Sequence, residues 1–543
     1  MNKINYVFEK SKTGETVPLF KLQEGNQSLH SMIDPKKEAQ RLISGICGED
    51  FIIFLGLGGG FAAEAALESA NARVLVIDFD KDSITQLFAN ISYAKLTKNK
   101  HFTLLVDPDE QEIKNFLIEN FKPALYKSLK TIPLRTRIEK DKENFDKTIT
   151  AIQEAIEIIT ADYSVQAHFG KRWFSNIIRN IKYIKTNNQQ PDKKINALEN
   201  TAGGGVLNPS ARIKEAAIVA AGPSLDCQIK TLAELKSKGA FIISTDTALG
   251  ALSHNGIEPD AVVSIDCQHI SYYHFIGNKL KNIPLILDIA SPPLLAGLFQ
   301  SPLFFCGGHP LAKYFSGCCK KLQSLDTSGG NVTYTCLCLA ESLNAEHITL
   351  FGADFSYVDN KTYARGTYLN SFFSKKQNRF YPLESQETAF LYRSPFLPRE
   401  EEANQRYRET SSLRFYRKKL EEKSSMMKAV VISAPGFGAP IRLIKNDKYE
   451  INNEELEIGN GEWDSKNSEG FLKNYREDIL KLPEARQKEF YFDVLNEKQK
   501  VIYTTLLPYI AFYKKRNPEL KQNELIENVK RKCAEEIARV LKR

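Results

Sequence analysis

Long uninterrupted apolar runs are absent from this 543-residue sequence. No segment offers the roughly 18–20 consecutive apolar residues that a membrane-spanning helix requires, so we expect no membrane span. The first ten residues also lack the apolar core of a signal peptide. These two absences predict a protein of the cytoplasm.

Cysteine pairs of the metal-binding kind are missing as well. The nine cysteines are odd in number, and no two of them stand in a C-x-x-C pair. This pattern predicts reduced, mostly buried thiols and argues against a zinc site. We expect no metal site, and we also expect no tightly bound cofactor.

The excess of positive charge is small for a chain of this length. A net charge of +8 and a pI of about 8.7 fit an anionic small molecule or a weakly acidic partner and do not indicate nucleic acid. The hydrophobic content of 42% and charged content of 26% are ordinary for a globular protein. The length predicts about three domains.

A glycine turn follows the first strongly apolar segment. The predicted strand 51–55 leads into Gly56 and Gly58, a helix-like stretch follows, and a second apolar strand ends at Asp78, 22 positions after Gly56. This spacing is typical of Rossmann-like domains, in which the acid binds ribose hydroxyls. We predict such a domain over residues 1–150, with Gly56, Gly58 and Asp78 either binding a nucleotide or S-adenosylmethionine, or belonging to a scaffold without a ligand.

Helical periodicity marks two other parts of the chain. Residues 151–204 are predicted to form a helical connector that ends in a polar linker with glycines at 203–205. Residues 441–543 repeat large apolar side chains such as Phe471, Tyr475 and Ile479 at helical spacing. They are predicted to form a C-terminal helical domain that holds a protein partner or the other domains.

A second α/β unit is predicted over residues 205–440. Its first strand, from Ala216, breaks at Gly222-Pro223, and a helix is predicted to begin at Ser224 with the serine hydroxyl as its cap. A strand, a glycine turn and a helix N-terminus together form a common cradle for phosphate. The whole chain is thus predicted to be α/β, with two Rossmann-like parallel-sheet units, connecting helices and a helical C-terminus.

Polar side chains follow the predicted strands of this second unit. Parallel sheets bind their ligands beyond the carboxyl ends of the strands, so these side chains are candidate site residues. They are Ser224, Thr245, Asp246, Asp266, Thr327, Ser328 and Asp354. Residues 358–425, rich in Tyr, Arg, Lys and Glu, are predicted to be either a lid over this edge or a solvated excursion.

Four segments in this unit resemble a known domain when they are taken in order. They are Ala221-Gly-Pro-Ser-Leu225, Ser244-Thr-Asp-Thr-Ala248, Gly256-Ile-Glu-Pro-Asp-Ala-Val-Val-Ser-Ile-Asp266 and Phe351-Gly-Ala-Asp-Phe-Ser-Tyr357. Over roughly residues 205–435 the chain resembles the central DUF115 (MptE-like) domain of the motility-associated factor (Maf) flagellin glycosyltransferases. The resemblance implies transfer of a nonulosonic acid, of pseudaminic, legionaminic or sialic type, from its CMP-activated form to Ser or Thr of flagellin, for flagellar assembly and motility.

The same domain is similar to bacterial sialyltransferases that use CMP-sialic acid. That similarity implies donor contacts from the Gly-Pro-Ser turn, the Thr-Ser-Gly segment and the Gly-x-Asp-Phe segment, with tyrosines donating to the phosphate. Together with the strand-end residues, the predicted donor site comprises Gly222, Pro223, Ser224, Thr245, Asp246, Thr327, Ser328, Gly329, Gly352, Asp354 and Tyr357, with Tyr363 and Tyr368 as further phosphate donors.

The catalytic base departs from the sialyltransferase pattern. Those enzymes use a histidine downstream of the Gly-x-Asp-Phe segment, and this chain has no histidine after His347. Asp266, Asp354 and His309 stay open as candidates for the base.

Three other functions are compatible with the sequence. The central domain also resembles enzymes that transfer diphosphate from ATP to a hydroxymethylpterin. The N-terminal glycine turn allows an S-adenosylmethionine-dependent methyltransferase. A flagellin-binding chaperone without catalysis is the third alternative.

Overall fold

The computed structural model describes residues 4–22, 25–47, 50–70, 72–186, 213–277, 283–299, 302–319, 322–398, 406–443, 468–486 and 490–542. The predicted linker with glycines 203–205 lies outside these residues. The chain divides into two compact units, one of residues 1–171 with 478–533 and one of residues 172–477 with 534–543.

The first unit contains a small antiparallel sheet and a four-stranded parallel sheet. The small sheet consists of β1 (Tyr6–Lys10), β2 (Thr16–Lys21) and β3 (Asn26–Ser28). The parallel sheet has the order β6-β5-β4-β7 and consists of β4 (Asp50–Leu55), β5 (Arg73–Asp78), β6 (Phe102–Val106) and β7 (Ser128–Pro133). Every residue of β4 is buried, as expected for a strand covered on both faces.

Helices flank the parallel sheet of the first unit. They are α1 (Pro35–Leu42), α2 (Phe61–Ala70), α3 (Lys81–Asn90), α4 (Ala94–Thr97), α5 (Glu110–Asn120), α6 (Arg135–Ile138) and the 45-residue α7 (Lys142–Thr186), which continues into the second unit.

The second unit is built on an eight-stranded sheet in which all neighbouring strands run parallel. Its strands are β8 (Glu215–Val219), β9 (Phe241–Thr245), β10 (Ala261–Ser264), β11 (Leu285–Asp288), β12 (Leu303–Cys306), β13 (Gln323–Ser324), β14 (His347–Phe351) and β17 (Val430–Ser433). Their order is β13-β12-β11-β10-β9-β8-β14-β17. The chain therefore reverses direction across the sheet at β8.

Alternating side chains of the strands fill two layers of core. Ala216 and Ile218 of β8 belong to a cluster on one face, whereas Ala217 and Val219 pack in a cluster on the other face. Helices cover both faces of the central strands, so β10 and β11 are buried along their whole length and β8 is buried from Ala216 onward. These helices are α8 (Leu225–Ser237), α9 (Leu249–His254), α10 (Pro293–Ala296), α11 (Pro310–Cys318) and α12 (Val332–Ser342).

The segment predicted as a lid contains regular structure. The described part of residues 358–425 includes helices α13 (Tyr368–Lys376), α14 (Leu383–Leu391) and α15 (Ser411–Met426), and β15 (Tyr357–Val358) pairs with β16 (Tyr407–Arg408). Strand β17 then returns the chain to the sheet beside β14.

The C-terminal region is helical, and the predicted fold class is confirmed. Helices α16 (Ser468–Leu480), α17 (Glu497–Arg516) and α18 (Gln522–Lys542) follow β17, and 3₁₀ turns lie at His269–His274 and Tyr491–Val494. None of the helices in the described part of the chain combines the length and apolarity needed to traverse a lipid bilayer.

Candidate functional site

The carboxyl ends of β8 and β14 meet where the chain reverses direction. Loops that follow two such strands turn away from each other, and the crevice between them is where open parallel sheets bind ligands. The Gly222-Pro223-Ser224 turn follows β8, and the Gly352 to Asp354 segment follows β14. The structure thus brings together two of the three segments predicted for the donor.

These two segments are locked to each other. The Gly222 N–H donates to the Gly352 carbonyl at 2.8 Å, and the Ser224 N–H donates to Asp354 Oδ2 at 2.8 Å. A Cβ at Gly222 would lie 2.5 Å from both Asp354 Oδ2 and the Gly352 carbonyl oxygen. Glycine is required at 222 because the two loops approach this closely.

The predicted cap on helix α8 is wrong. The Ser224 hydroxyl makes no capping bond to the helix; it accepts the N–H of Phe437 at 2.9 Å. The N–H groups of Leu225 and Asp226 bond back to the carbonyls of Gly222 and Pro223. The donors of this turn are therefore bonded within the protein, so the turn forms a rigid floor and offers no free phosphate cradle.

Asp354 lies within this lock. Burial raises its pKa above the usual value, and the N–H of Ser224 acts against that rise. Its carbonyl accepts the N–H of Ala439 at 3.0 Å and the Ser356 hydroxyl at 2.9 Å. A Cβ at Gly438 would come within 2.5 Å of Asp354 Cα. These contacts make Asp354 a structural clamp between the loops after β8, β14 and β17.

The N-terminus of helix α12 provides the free donors that the first turn lacks. Asn331 caps the helix by accepting the Tyr334 N–H at 3.0 Å. Within the described part of the chain, the N–H groups of Gly329, Asn331, Val332 and Thr333 have no hydrogen-bond partner. A helix N-terminus with free N–H groups favours an anion.

Thr327, Ser328 and Gly329 lead into that helix. The Ser328 N–H donates to Asp326 Oδ1 at 2.8 Å, and the Gly330 N–H closes a turn onto the Thr327 carbonyl at 3.0 Å. A Cβ at Gly329 would clash with the Tyr334 ring, so glycine is needed there as well. Helix α12 packs on strands β8, β9 and β10, and its N-terminus comes after the carboxyl end of β13.

The strand-end residues of β9 are bonded within the protein. The Thr245 hydroxyl donates to the Val219 carbonyl at 3.2 Å, which ties β9 to β8. Asp246 accepts the Ser264 hydroxyl at 2.7 Å with one oxygen and the Thr247 N–H at 2.7 Å with the other. Asp246 is 2% exposed, so both oxygens hold the edge together.

Asp266 follows β10 and is half-buried. Its pKa is raised by burial, and the neighbouring Asp246 raises it further, whereas the Gln268 N–H, which donates to Oδ1 at 2.8 Å, lowers it. The carboxyl is thus biased toward the protonated form compared with a solvent-exposed aspartate.

His309 is poorly suited to accept a proton. Its Nδ1 accepts the Leu311 N–H at 3.1 Å, and its ring meets Trp173 edge-on. Burial lowers the pKa of His309 to about 3. The imidazole is therefore neutral with its proton on Nε2, so the nitrogen that could face a substrate is a donor.

The predicted tyrosines lie on the segment that crosses the strand ends. The Ala364 N–H donates to the Ala221 carbonyl at 2.9 Å, which fixes this segment over the end of β8. Burial raises the pKa of Tyr357, and it raises that of Tyr363 to about 12. The Tyr368 ring stacks on Tyr273 at 4.9 Å between centroids.

Asp288 is a site residue that the sequence reasoning missed. It ends β11 at the same edge, and burial raises its pKa to about 7. Its Oδ1 accepts the Ala290 N–H at 2.8 Å. The available signal was an acid at the end of an apolar strand, the same pattern that singled out Asp266.

Two asparagines of helix α7 were also missed. The Asn176 side-chain amide donates to the carbonyls of Cys267 and Ala290 at 3.1 and 2.8 Å. The Asn180 amide donates to the carbonyls of Ile289 and Ser291, both at 2.8 Å. Both are buried, and their i, i+4 spacing inside an apolar helix face was the available signal. They fix the loops after β10 and β11.

The glycine turn of the first unit is filled by the protein's own side chains. Arg137 Nε pairs with Asp78 at 2.9 Å, and neither side chain is exposed. Asp78 also accepts the Leu57 N–H at 2.7 Å. A Cβ at Gly56 would lie 2.9 Å from the Arg137 side chain, and one at Gly58 would lie 2.5 Å from His30. The carboxylate predicted to bind ribose is thus paired with an arginine.

Grouped metal ligands do not occur in the described residues. No cluster of three or more His, Cys, Asp or Glu side chains there is arranged to hold an ion.

Comparison with known proteins agrees with this geometry. Residues 175–360 match the family model described as 6-hydroxymethylpterin diphosphokinase MptE-like. The structure is similar to that of the MAf glycosyltransferase from Magnetospirillum magneticum AMB-1, with a TM-score of 0.57 and 13% identity, over 99% of this chain and 92% of that one. Residues 175–360 are thus similar to the MptE-like family, and the chain has the fold of a Maf glycosyltransferase. The resemblance predicted from the four segments is confirmed.

Matches to curated proteins by sequence cover shorter stretches of this chain. Two proteins of Treponema pallidum (strain Nichols), each described only as an uncharacterized protein, are 36% identical over 126 residues and 35% identical over 119 residues. Each match spans 22% of this chain, and it spans 45% and 49% of the respective relatives. The chain thus matches about half the length of these curated relatives.

Proposed function

We propose that this protein is a glycosyltransferase that moves a nonulosonic acid, of pseudaminic, legionaminic or sialic type, from a CMP-activated donor to Ser or Thr of flagellin. One observation carries the proposal. The N-terminus of helix α12, with its free N–H groups and the hydroxyls of Thr327 and Ser328 before it, lies at the ligand edge of an MptE-like sheet. The similarity to the fold of a Maf glycosyltransferase supports it.

The chemistry suits that helix N-terminus. A CMP-activated sugar contains a single phosphate, which leaves with CMP when the acceptor oxygen attacks the anomeric carbon. Negative charge then builds on the phosphate, and preorganised N–H and hydroxyl donors stabilise it. The Gly222 to Ser224 turn and Asp354 act as the floor that sets the shape of the site.

The proposal includes the acceptor protein, the place of modification and the part that each region of the chain plays. Flagellin is the acceptor, modification takes place in the cytoplasm, and the donor site lies in a central domain of residues 205–440. The regions before 150 and after 441 recognise the acceptor.

The donor is tested by thermal stabilisation. We expect CMP to raise the melting temperature of the full chain, and we expect the double variant Thr327→Ala, Ser328→Ala to lose most of that rise. Ser237→Ala, whose hydroxyl bonds to the Glu234 carbonyl at the far end of helix α8, is the matched control and should keep it. No stabilisation of the wild type by CMP would contradict the proposed donor.

The reaction is tested in the host. Deletion of the gene should remove the mass of one or more nonulosonic acids from intact flagellin, and that mass identifies the sugar. Complementation with the Thr327→Ala, Ser328→Ala variant should fail to restore the mass. Full restoration by this variant would instead favour a flagellin-binding chaperone.

A second candidate follows from the description of the matching family model. An MptE-like domain that acts as a pterin diphosphokinase would bind ATP with Mg²⁺. Stabilisation by ATP and Mg²⁺ but not by CMP would select this function.

The methyltransferase alternative finds no support in the first unit, because Arg137 fills the turn and pairs with Asp78. S-adenosylmethionine should leave the melting temperature unchanged.

A further inference from the structure

The proposed reaction lacks an assigned base. The acceptor hydroxyl must lose its proton as its oxygen attacks the anomeric carbon, and a group at the sheet edge has to accept that proton. A suitable base needs a free lone pair and enough affinity for the proton. A carboxyl group whose pKa is raised and whose second oxygen makes no hydrogen bond has both.

Apart from Asp266, which is less deeply buried than Asp288, the other acidic groups at this edge are committed elsewhere. Both oxygens of Asp246 accept hydrogen bonds, and Asp354 clamps the Ser224 turn. Asp326 accepts the Tyr334 hydroxyl at 2.6 Å and the Ser328 N–H; although burial acts against it, these bonds hold its pKa below the usual value. His309 presents a donor nitrogen, as described above.

Asp288 differs from all of these in its surroundings. Oδ1 is held by the Ala290 N–H, whereas Oδ2 accepts no hydrogen bond from the described part of the chain. A Cβ at Gly307 would clash with Oδ2 and would lie 3.3 Å from Thr327 Oγ1. Oδ2 and the Thr327 hydroxyl therefore border the same small space, which exists only because residue 307 has no side chain.

The loop that orients Asp288 is held from behind by helix α7. The amides of Asn176 and Asn180 bind the carbonyls of residues 289, 290 and 291. This support is of the kind that fixes a reacting group before the substrate arrives.

We propose that Asp288 is the general base of the transfer reaction, an inference that rests on the proposed function. The acceptor oxygen forms a bond to the anomeric carbon of the donor while the bond from that carbon to the phosphate oxygen breaks. The bonding pair leaves with CMP, and the acceptor proton moves to Asp288 Oδ2.

The two thiols that face Asp288 from neighbouring elements stay neutral near pH 7. Burial raises the pKa of Cys306 on β12 and of Cys267 after β10 to about 12 each. The charge of Lys313 lowers the pKa of Cys306. The charge of Arg172 lowers the pKa of Cys267, and that of Asp266 raises it. The pKa of Asp288 itself is raised by burial and lowered by the Ala290 N–H. Because burial and Asp246 also raise the pKa of Asp266, a titration in the rate profile is assigned to Asp288 by its loss in Asp288→Asn.

The test compares wild-type protein, Asp288→Asn and the control Asp260→Asn. Asp260 accepts the Ile242 N–H at the opposite edge of the same sheet, so its variant makes the same change of charge away from the site. The assay follows sugar transfer from CMP-activated donors to purified flagellin across pH 5.5–9, a range chosen to bracket the ordinary titration range of such a base. CMP binding is measured by thermal stabilisation.

For the wild type we expect kcat/KM to rise with pH and level off above the pKa of Asp288. Asp288→Asn should lower kcat by about 10²- to 10⁴-fold, keep CMP stabilisation and lose the pH-dependent rise. Asp260→Asn should keep both the rate and the rise.

Two results would overturn the assignment of the base but not the proposed function. One is sugar transfer by the wild type without that rise of kcat/KM with pH. The other is an Asp288→Asn variant with the rate and the pH profile of the wild type. If the wild type transfers no sugar from any CMP donor, the proposed function fails and the base assignment fails with it. The wild-type assay thus distinguishes the two failures.

Discussion

At the scale of single residues, Gly222 decides whether two loops can meet. A methyl group there would lie 2.5 Å from Asp354 Oδ2 and from the Gly352 carbonyl oxygen. We expect Gly222→Ala to lower the free energy of unfolding by about 1–3 kcal/mol, the usual range for overpacking. Urea denaturation measures this change in the free energy of unfolding. Gly308→Ala is the control because nothing lies within 4 Å of a Cβ at that position. Equal effects of the two variants would contradict the lock.

Asp288 should make stability depend on pH. Its folded-state pKa, about 7, is above the ordinary value of 3.8, so its stabilising contribution is complete below the ordinary value and is lost as pH rises through about 7. Asp288→Asn cannot ionise and keeps an oxygen for the Ala290 N–H. Relative to the wild type, the variant should gain a few kcal/mol between pH 5 and pH 8.

Urea denaturation at pH 5 and pH 8 measures this difference. A constant difference between variant and wild type at the two pH values would show that the carboxyl has an ordinary pKa. A gain in stability together with a loss of transfer would be typical of a reacting group held in an unfavourable setting.

At the scale of elements, helix α7 supports the sheet edge. Asn180→Ala would leave the buried carbonyls of Ile289 and Ser291 without their partner, and an unsatisfied buried group costs about 1–3 kcal/mol. We expect the variant to lose stability in that range and to lower kcat more than it weakens CMP binding, because the displaced loop contains Asp288. Arg179→Ala, an exposed neighbour on the same helix, should change neither quantity.

Steady-state kinetics measures kcat, and thermal stabilisation by CMP measures binding. Loss of stability with an unchanged kcat would show that α7 supports the sheet without positioning the site.

At the scale of the whole molecule, the first unit depends on a buried ion pair. Removing one member of such a pair leaves an uncompensated charge and costs about 3–5 kcal/mol. We expect Arg137→Met to cause that loss and the double variant Arg137→Met, Asp78→Asn to recover part of it. Hydrogen exchange should show lost protection across strands β4 to β7. Equal stability of the single and double variants would show that the loss of Arg137 leaves no costly uncompensated charge on Asp78.

The presence of two α/β units with parallel sheets could be predicted from the sequence. Apolar runs that end in polar residues indicate parallel strands, and the four segments that contain Ser224, Asp246, Asp266 and Asp354 follow such runs at one edge. Those signals are local, so they can be read from spacing alone. The eight-stranded order and its reversal at β8 agree with them.

The use of each polar group could not be predicted, because it depends on partners far along the chain. The Ser224 hydroxyl binds Phe437, 213 residues away, and Asp78 binds Arg137. A serine before a helix normally caps it, and only the return of β17 beside β14 explains why this one does not. The same reason hid Asn176 and Asn180, whose partners lie more than 90 residues away.

The bond between Ser224 and Phe437 also has a consequence for biosynthesis. The floor of the site is closed by residues after β17, so a nascent chain that ends before residue 439 cannot complete the contacts of Ser224 and Asp354. Contacts so distant in sequence form slowly, and domains form as units once their chain has emerged. The ribosome must therefore release most of the chain before the floor of the site can form, and until then the apolar strands of the central sheet are without their full set of neighbours.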